Sequence, residues 1–299
     1  MTTIAPAQAA QRTAPFFVTW GTWPLLLLGS LFAVGAAMNH GGNPGLIAGA
    51  SIIVSALILI ALEFTFPLRA DWSITRASFL RDLKYFALAG ATIGATTYGF
   101  SAMGIALGKN ANGPLANWPL LPSIVMGLLA FEFCQYWQHR ISHEARGRIG
   151  GWLWRVHVAH HLPDRVYALM HPAGHPINGF IVRGLVTIMP LYLLGISASA
   201  IILINLIIGI QGLVSHTNLD LRAGWFNHVL TGSELHRFHH SAYPDESQNY
   251  GVVTPIWDMI FGTYHYRAGQ IPERLGVEDP GNYPTSFDIK SVLGLPFKP

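Results

Sequence analysis

The residues best placed to do chemistry are histidines. The chain has fourteen, nearly as many as its fifteen acids. Eight fall in three clusters: "HRISH" (His139, His143), "HVAHH" (His157, His160, His161) and "HRFHH" (His236, His239, His240). On a helix, i and i+4 stack on one face, as a chelating pair needs. In each triplet the outer positions share a face while the adjacent pair fans apart by about 100°. One triplet can therefore serve two metals lying side by side, one neighbour turning to each. His175 in "GHPING" and His216 in "SHTNLD" bring the donors to ten, enough for two metals at five each. Imidazole suits zinc, copper, iron and nickel. Structural zinc usually takes four ligands, often thiolates, whereas this chain has a single cysteine, Cys134. Paired imidazole-rich sites fit a redox-active pair, and iron best. His40, His171, His228 and His265 stand alone and read as ordinary hydrogen-bonding residues.

The elements that must position these rings are greasy. Hydrophobic residues make up 51% of the 299 and charged residues only 11%, with a mean hydropathy of +0.36. Soluble domains carry about 25% charged residues, so a bilayer is the natural solvent. Apolar runs at about 16–38, 45–66, 85–107, 118–137, 177–194 and 198–214 are each near the ~20 residues that cross a hydrocarbon core. The last two are separated by "GISAS" and read as two spans or a re-entrant hairpin. The opening "MTTIAPAQAAQRTAP" reads as a disordered leader and lacks a secretory h-region. Of the eighteen Lys and Arg, only Lys109 falls in a segment facing outside. The positive-inside rule then puts both termini and the histidine clusters in the cytoplasm. No basic run is dense enough for nucleic acid. A transporter would need polar groups at mid-membrane; the runs offer only Glu63, Glu132 and Arg183, mostly near their ends, with Arg183 placed at the entrance of the fifth. The single cysteine excludes an intrachain disulfide.

Taken together, "EFCQYWQHRISH", "LWRVHVAHH", "HPING", "SHTN", "ELHRFHHS" and "NYG…WDMIFGTY" resemble the fatty acid hydroxylase/sterol desaturase superfamily, over about residues 118–265. The resemblance implies an integral-membrane, histidine-coordinated di-iron oxygenase. Its ligands would be His139, His143, His157, His160, His161, His236, His239 and His240, with His216 as the isolated histidine before the last cluster and His175 at the family's His-Pro position. Glu132 stands where the family often has Asp. Lying two helical turns before His139 on the same face, it can orient a ligand ring from behind, and Asn249 of "NYG" is placed with it as a supporting residue. Where many members carry an acid after His-Pro, this chain has Asn178.

The expected architecture is an all-α, multi-span transmembrane bundle of about four to six spans, with a cytosolic helical cap carrying the di-metal site. Residues 1–117 supply the leader and first helices, 118–265 the catalytic domain and 266–299 a C-terminal cytosolic tail. The expected reaction uses two iron ions, dioxygen and external electrons to hydroxylate an unactivated C–H bond of a fatty acyl lipid, sterol or other isoprenoid reaching the irons from the bilayer; the aromatic stretches "FEFCQYWQ" and "WLWRV" line that path or form an interfacial belt. A desaturase with the same metal site is the alternative, a metal transporter or zinc-dependent membrane hydrolase a more distant one. The chain shows no haem, iron–sulfur, Rossmann or flavin signature, so electrons are expected from a partner such as a ferredoxin with its reductase or a b-type cytochrome.

Overall fold

The computed structural model describes residues 14–106 and 113–298. The leader through Thr13, with Arg12, and Lys109 lie outside the described residues. Among those described, the elements are helical, and the one β-type contact is an isolated antiparallel bridge between Ser241 and Leu275.

Helix α1 (Phe16–Asn39) and α2 (Pro44–Thr65) form a hairpin. Its turn uses Gly41 at φ +73°, and α2 opens with Pro44 at its first position and the Asn43 side chain accepting from the Leu46 amide. Helix α3 runs over Arg76–Ala106 and α4 over Leu120–Glu144. A short α5 (Gly147–His157) follows. Helix α6 (Pro176–Leu194) carries a π-helical stretch at Ile181–Ile188. Gly195, in the left-handed region at φ +72°, ends it, and Ser197 caps α7 (Ala198–Ser215). Three short helices complete the cap: α8 (Ser233–His239), α9 (Ile256–Phe261) and α10 (Ile289–Gly294).

Among the described residues, five helices, α1, α2, α4, α6 and α7, are long and apolar enough to cross a membrane. The expected third span, 85–107, lies on α3 up to Ala106, residue 107 being outside the described residues, and the 31 residues of α3 suffice in length. It is not among the five, because Gly and Thr dilute its apolar run ("GATIGATTYG"). Helix α7 is the hub: 56% of its most apolar stretch is buried, against 17% for α2. Leu206, Ile210 and Val214 of α7 are fully enclosed with Leu59 of α2 and Val34 of α1. Outward side chains such as Phe32, Ile53 and Leu121 are largely exposed, as a lipid-facing surface requires. Residues after 265 fold back on the cap: the Gly276 amide donates to the His240 carbonyl, and Arg81 of α3 donates to Ser286.

Candidate metal centre

Helix α4 continues past the apolar run, so its last two turns carry His139 and His143 into the cap. Helix α5 ends at His157, and a 3-10 turn over Val158–His160 follows. The second cluster is therefore a helix end plus a tighter turn rather than one continuous α-helix. Helix α8 carries His236 and His239, with His240 as its C-terminal cap residue. His216 caps the C-terminus of α7.

These elements bring nine imidazoles into two groups. His139, His143, His157, His161 and His239 form the first, and His160, His216, His236 and His240 the second; within each, candidate ligand atoms all lie within 4.8 Å of one another. Both adjacent pairs divide between the groups: His161 and His239 join the first, His160 and His240 the second. The groups share a wall, where the rings of His161 and His240 stack with centroids 4.6 Å apart.

The nitrogen geometry fits a metal. In the second group His160 Nδ1 donates to the Ala173 carbonyl at 2.8 Å and His216 Nδ1 to the Gly212 carbonyl at 2.8 Å. A neutral imidazole has one N–H, so both Nε2 atoms are bare, yet they face each other at 3.0 Å. His236 and His240 bring their Nε2 atoms to 3.0 and 3.3 Å from that of His216. Converging lone pairs repel unless a cation lies between them. Nitrogens bound to one ion at ~2.1 Å stand ~3.0 Å apart at right angles and ~3.4 Å apart in a tetrahedron, and the observed spacings fall in that range. In the first group, His139 Nε2 lies 3.1 Å from His157 Nε2, which lies 3.0 Å from His161 Nε2. His143 Nε2 and His239 Nε2 are buried without a hydrogen-bond partner. Burial foremost, then the neighbouring imidazoles, holds His157, His161, His216, His236, His239 and His240 well below the usual histidine range. They are thus neutral, as ligands must be.

Backbone carbonyls fix the rings. His139 Nδ1 donates to the Tyr250 carbonyl at 2.8 Å and His239 Nδ1 to that of Gln248 at 2.9 Å. One short segment thus orients a ring from each of two clusters. Asn249 between them has φ +61°; its amide group donates to the Leu235 and His265 carbonyls and accepts from the His265 N–H. Glu132 touches no ring; it accepts from the Val252 and Val253 amides. Asp258 takes the Tyr250 and Gly251 amides at 2.7 and 2.8 Å, and burial pushes its carboxyl up to about 6. A Cβ on Gly251 would overlap the Thr254 carbonyl, so the glycine of "NYG" is a steric requirement. Asn178 accepts a hydrogen bond from the Gln138 side chain at 3.4 Å.

His175 belongs to neither group. Its Nδ1 accepts from the Ile177 amide, capping α6, and its Nε2 lies 3.2 Å from the Leu293 carbonyl. Both of its nitrogens thus face backbone partners. His265 packs on Phe238 and His228 on Tyr264, while His40 is exposed at the end of α1. Arg183 sits eight residues into α6, in the π-helical stretch, and donates to Thr97 and Asn205. It lines a cavity of about 520 Å³ that no histidine borders. Of the aromatic stretches, Phe131 and Tyr136 are core residues, and Trp154 stands edge-on to His143.

Two contributors carried little sequence signal. Glu63 of α2 accepts from the amides of Ala168 and Asn218, each at 2.8 Å; an acid in an apolar run was the clue. His171 lies with its ring centroid 4.8 Å from that of His216.

Residues 124–263 match the fatty acid hydroxylase family. The chain is 30% identical over 254 residues to ornithine lipid hydroxylase OlsE of Rhizobium tropici, covering 81% of this chain and 74% of that protein. It is 26% identical over 163 residues to very-long-chain aldehyde decarbonylase GL1-11 of Oryza sativa subsp. indica, covering 52% of this chain and 58% of that one. No solved structure shows significant similarity. A multi-helix membrane chain with nine imidazoles, seven buried and two half-buried, in two metal-sized groups, alike over most of its length to a lipid hydroxylase, belongs to the fatty acid hydroxylase/sterol desaturase superfamily.

Proposed function

We propose that this protein is a membrane-bound, non-haem di-iron oxygenase that hydroxylates an unactivated C–H bond of a lipid, using dioxygen and electrons from a separate donor. The observation that carries the reading is the division of nine imidazoles, with no thiolate or carboxylate, between two adjoining groups. When bound there, two irons supply the oxygen-activating redox chemistry that side chains lack. His139, His143, His157, His161 and His239 would hold one, and His160, His216, His236 and His240 the other. The protein's part is to keep these rings neutral, to aim the Nε2 atoms of His139, His160, His216 and His239 through carbonyl-bound Nδ1 atoms, and to exclude bulk water. Hydroxylation is preferred to decarbonylation because the likeness to the lipid hydroxylase spans 81% of the chain and that to the decarbonylase 52%. Desaturation uses the same ligands and is separated by product mass. The basic residues flanking the spans support a topology with both termini and the metal groups on the cytoplasmic side, and a ferredoxin with its reductase or a b-type cytochrome is the proposed electron donor there.

Lipid extraction and mass spectrometry of cells with and without the protein test this. A lipid gaining about 16 mass units, lost in His239→Ala, is expected from oxygen insertion. A loss of about 2 units would mark a desaturase instead, and oxygen-independent turnover with zinc bound would sink the oxygenase reading.

A further inference from the structure

The second histidine group has four members where the first has five, and another ring stands at its edge. His171 follows the 3-10 turn Ala168–Met170. Its ring centroid is 4.8 Å from that of His216. His160, also in this group, is near enough to add to the burial that lowers the His171 pKa to about 4. The His171 Nδ1 is buried and has no hydrogen-bond partner among the described residues. Leaving such an atom unpaired costs about 1–3 kcal/mol, which bound metal would offset.

The surroundings are shaped to this ring. It occupies the space over Gly212, where a Cβ would overlap Cε1 and Nε2 of His171. Gly212 lies one turn before His216 on α7, and its carbonyl orients His216. The stretch bearing His171 is anchored to the group on both sides. The Ala168 amide is held by Glu63, which also holds the Asn218 amide just beyond His216. The Ala173 carbonyl takes Nδ1 of His160. We infer that His171 is the fifth imidazole of the second metal site, admitted by the glycine at position 212. Its nitrogens lie outside the mutually close set, so ligation turns the ring inward, and no side-chain hydrogen bond holds it back. This rests on the two-metal reading.

The test is cobalt(II) titration of the full-length, metal-stripped protein in nanodiscs, followed by visible absorption. The wild type should take two equivalents; fewer would remove the two-metal reading and this assignment with it. In His171→Gly the first equivalent should bind unchanged and the second about 10- to 100-fold more weakly, with the stronger absorption of a lower-coordinate ion. Imidazole added to His171→Gly should restore the wild-type spectrum, which a purely structural histidine would not permit. Gly212→Ala keeps His171 but displaces its ring, and should give the same selective loss, so a poorly folding His171→Gly still leaves a readable variant. Two equivalents bound with wild-type affinity and spectrum in either folded variant would overturn the assignment.

Discussion

Glu132 touches no imidazole, yet its carboxylate holds the amides of Val252 and Val253, two and three residues beyond Tyr250, whose carbonyl fixes His139. It acts on the metal group through the loop. Glu132→Gln retains one acceptor oxygen and should fold, whereas Glu132→Ala strands two amides, at about 1–3 kcal/mol each. Loosening the Tyr250 carbonyl should weaken metal binding by the first group about 10-fold or more while sparing the second. Equal weakening of both groups in Glu132→Ala, measured by metal titration, would refute this route. The histidine spacing was legible because side-chain geometry on a helix follows from sequence separation: adjacent rings diverge, and His160/His161 and His239/His240 do divide between the groups. The carbonyls of Tyr250, Gln248, Ala173 and Gly212 were not, since any residue offers the same oxygen. His175 stands apart from both groups, and its position before Pro176 suits a helix cap.

At the scale of elements, α2 lies outside the family match yet reaches the second group through Glu63, whose Oε1 takes both the Ala168 and Asn218 amides. Glu63→Gln keeps a carbonyl oxygen in that place and should hold the loops. Glu63→Ala should lower stability by about 1–3 kcal/mol for each stranded amide, read as a lower midpoint in detergent unfolding. Identical midpoints for the alanine variant and the wild type would show that the clamp contributes nothing. The spans themselves were readable from apolar length alone, because the lipid-facing sides of α1 and α2 need no partner. The extent of α3 was not: its polar start at Arg76 is held by cap contacts, among them Arg81 with Tyr167 and Ser286. Nor was the return of residues 266–298, whose turn-rich sequence closes on the cap through isolated anchors such as Leu275, Val277 and Val292.

Across the whole molecule, helices whose outer faces suit lipid carry inward a compartment of neutral, buried imidazoles, and this gives the metal-free protein a particular acid response. In the unfolded chain each histidine gains a proton as pH falls through about 6.5. In the folded apoprotein His157, His161, His216, His236, His239 and His240 resist it, because burial disfavours their charged form. Between about 6.5 and the lower folded values the unfolded state therefore holds more protons, and stability rises with pH there. The apoprotein should keep full stability above about pH 7 and lose it progressively below about 6.5, each resisting ring adding up to about 1.4 kcal/mol per pH unit. Metal bound to the Nε2 atoms competes with those protons, so the loaded protein should hold its midpoint to lower pH and a chelator should abolish the difference. Thermal unfolding of chelated and loaded samples between about pH 8 and 5.5 checks both statements. An apoprotein midpoint flat across that range would mean that the imidazoles are not held neutral by burial, and the packing that brings nine of them together would then need another account.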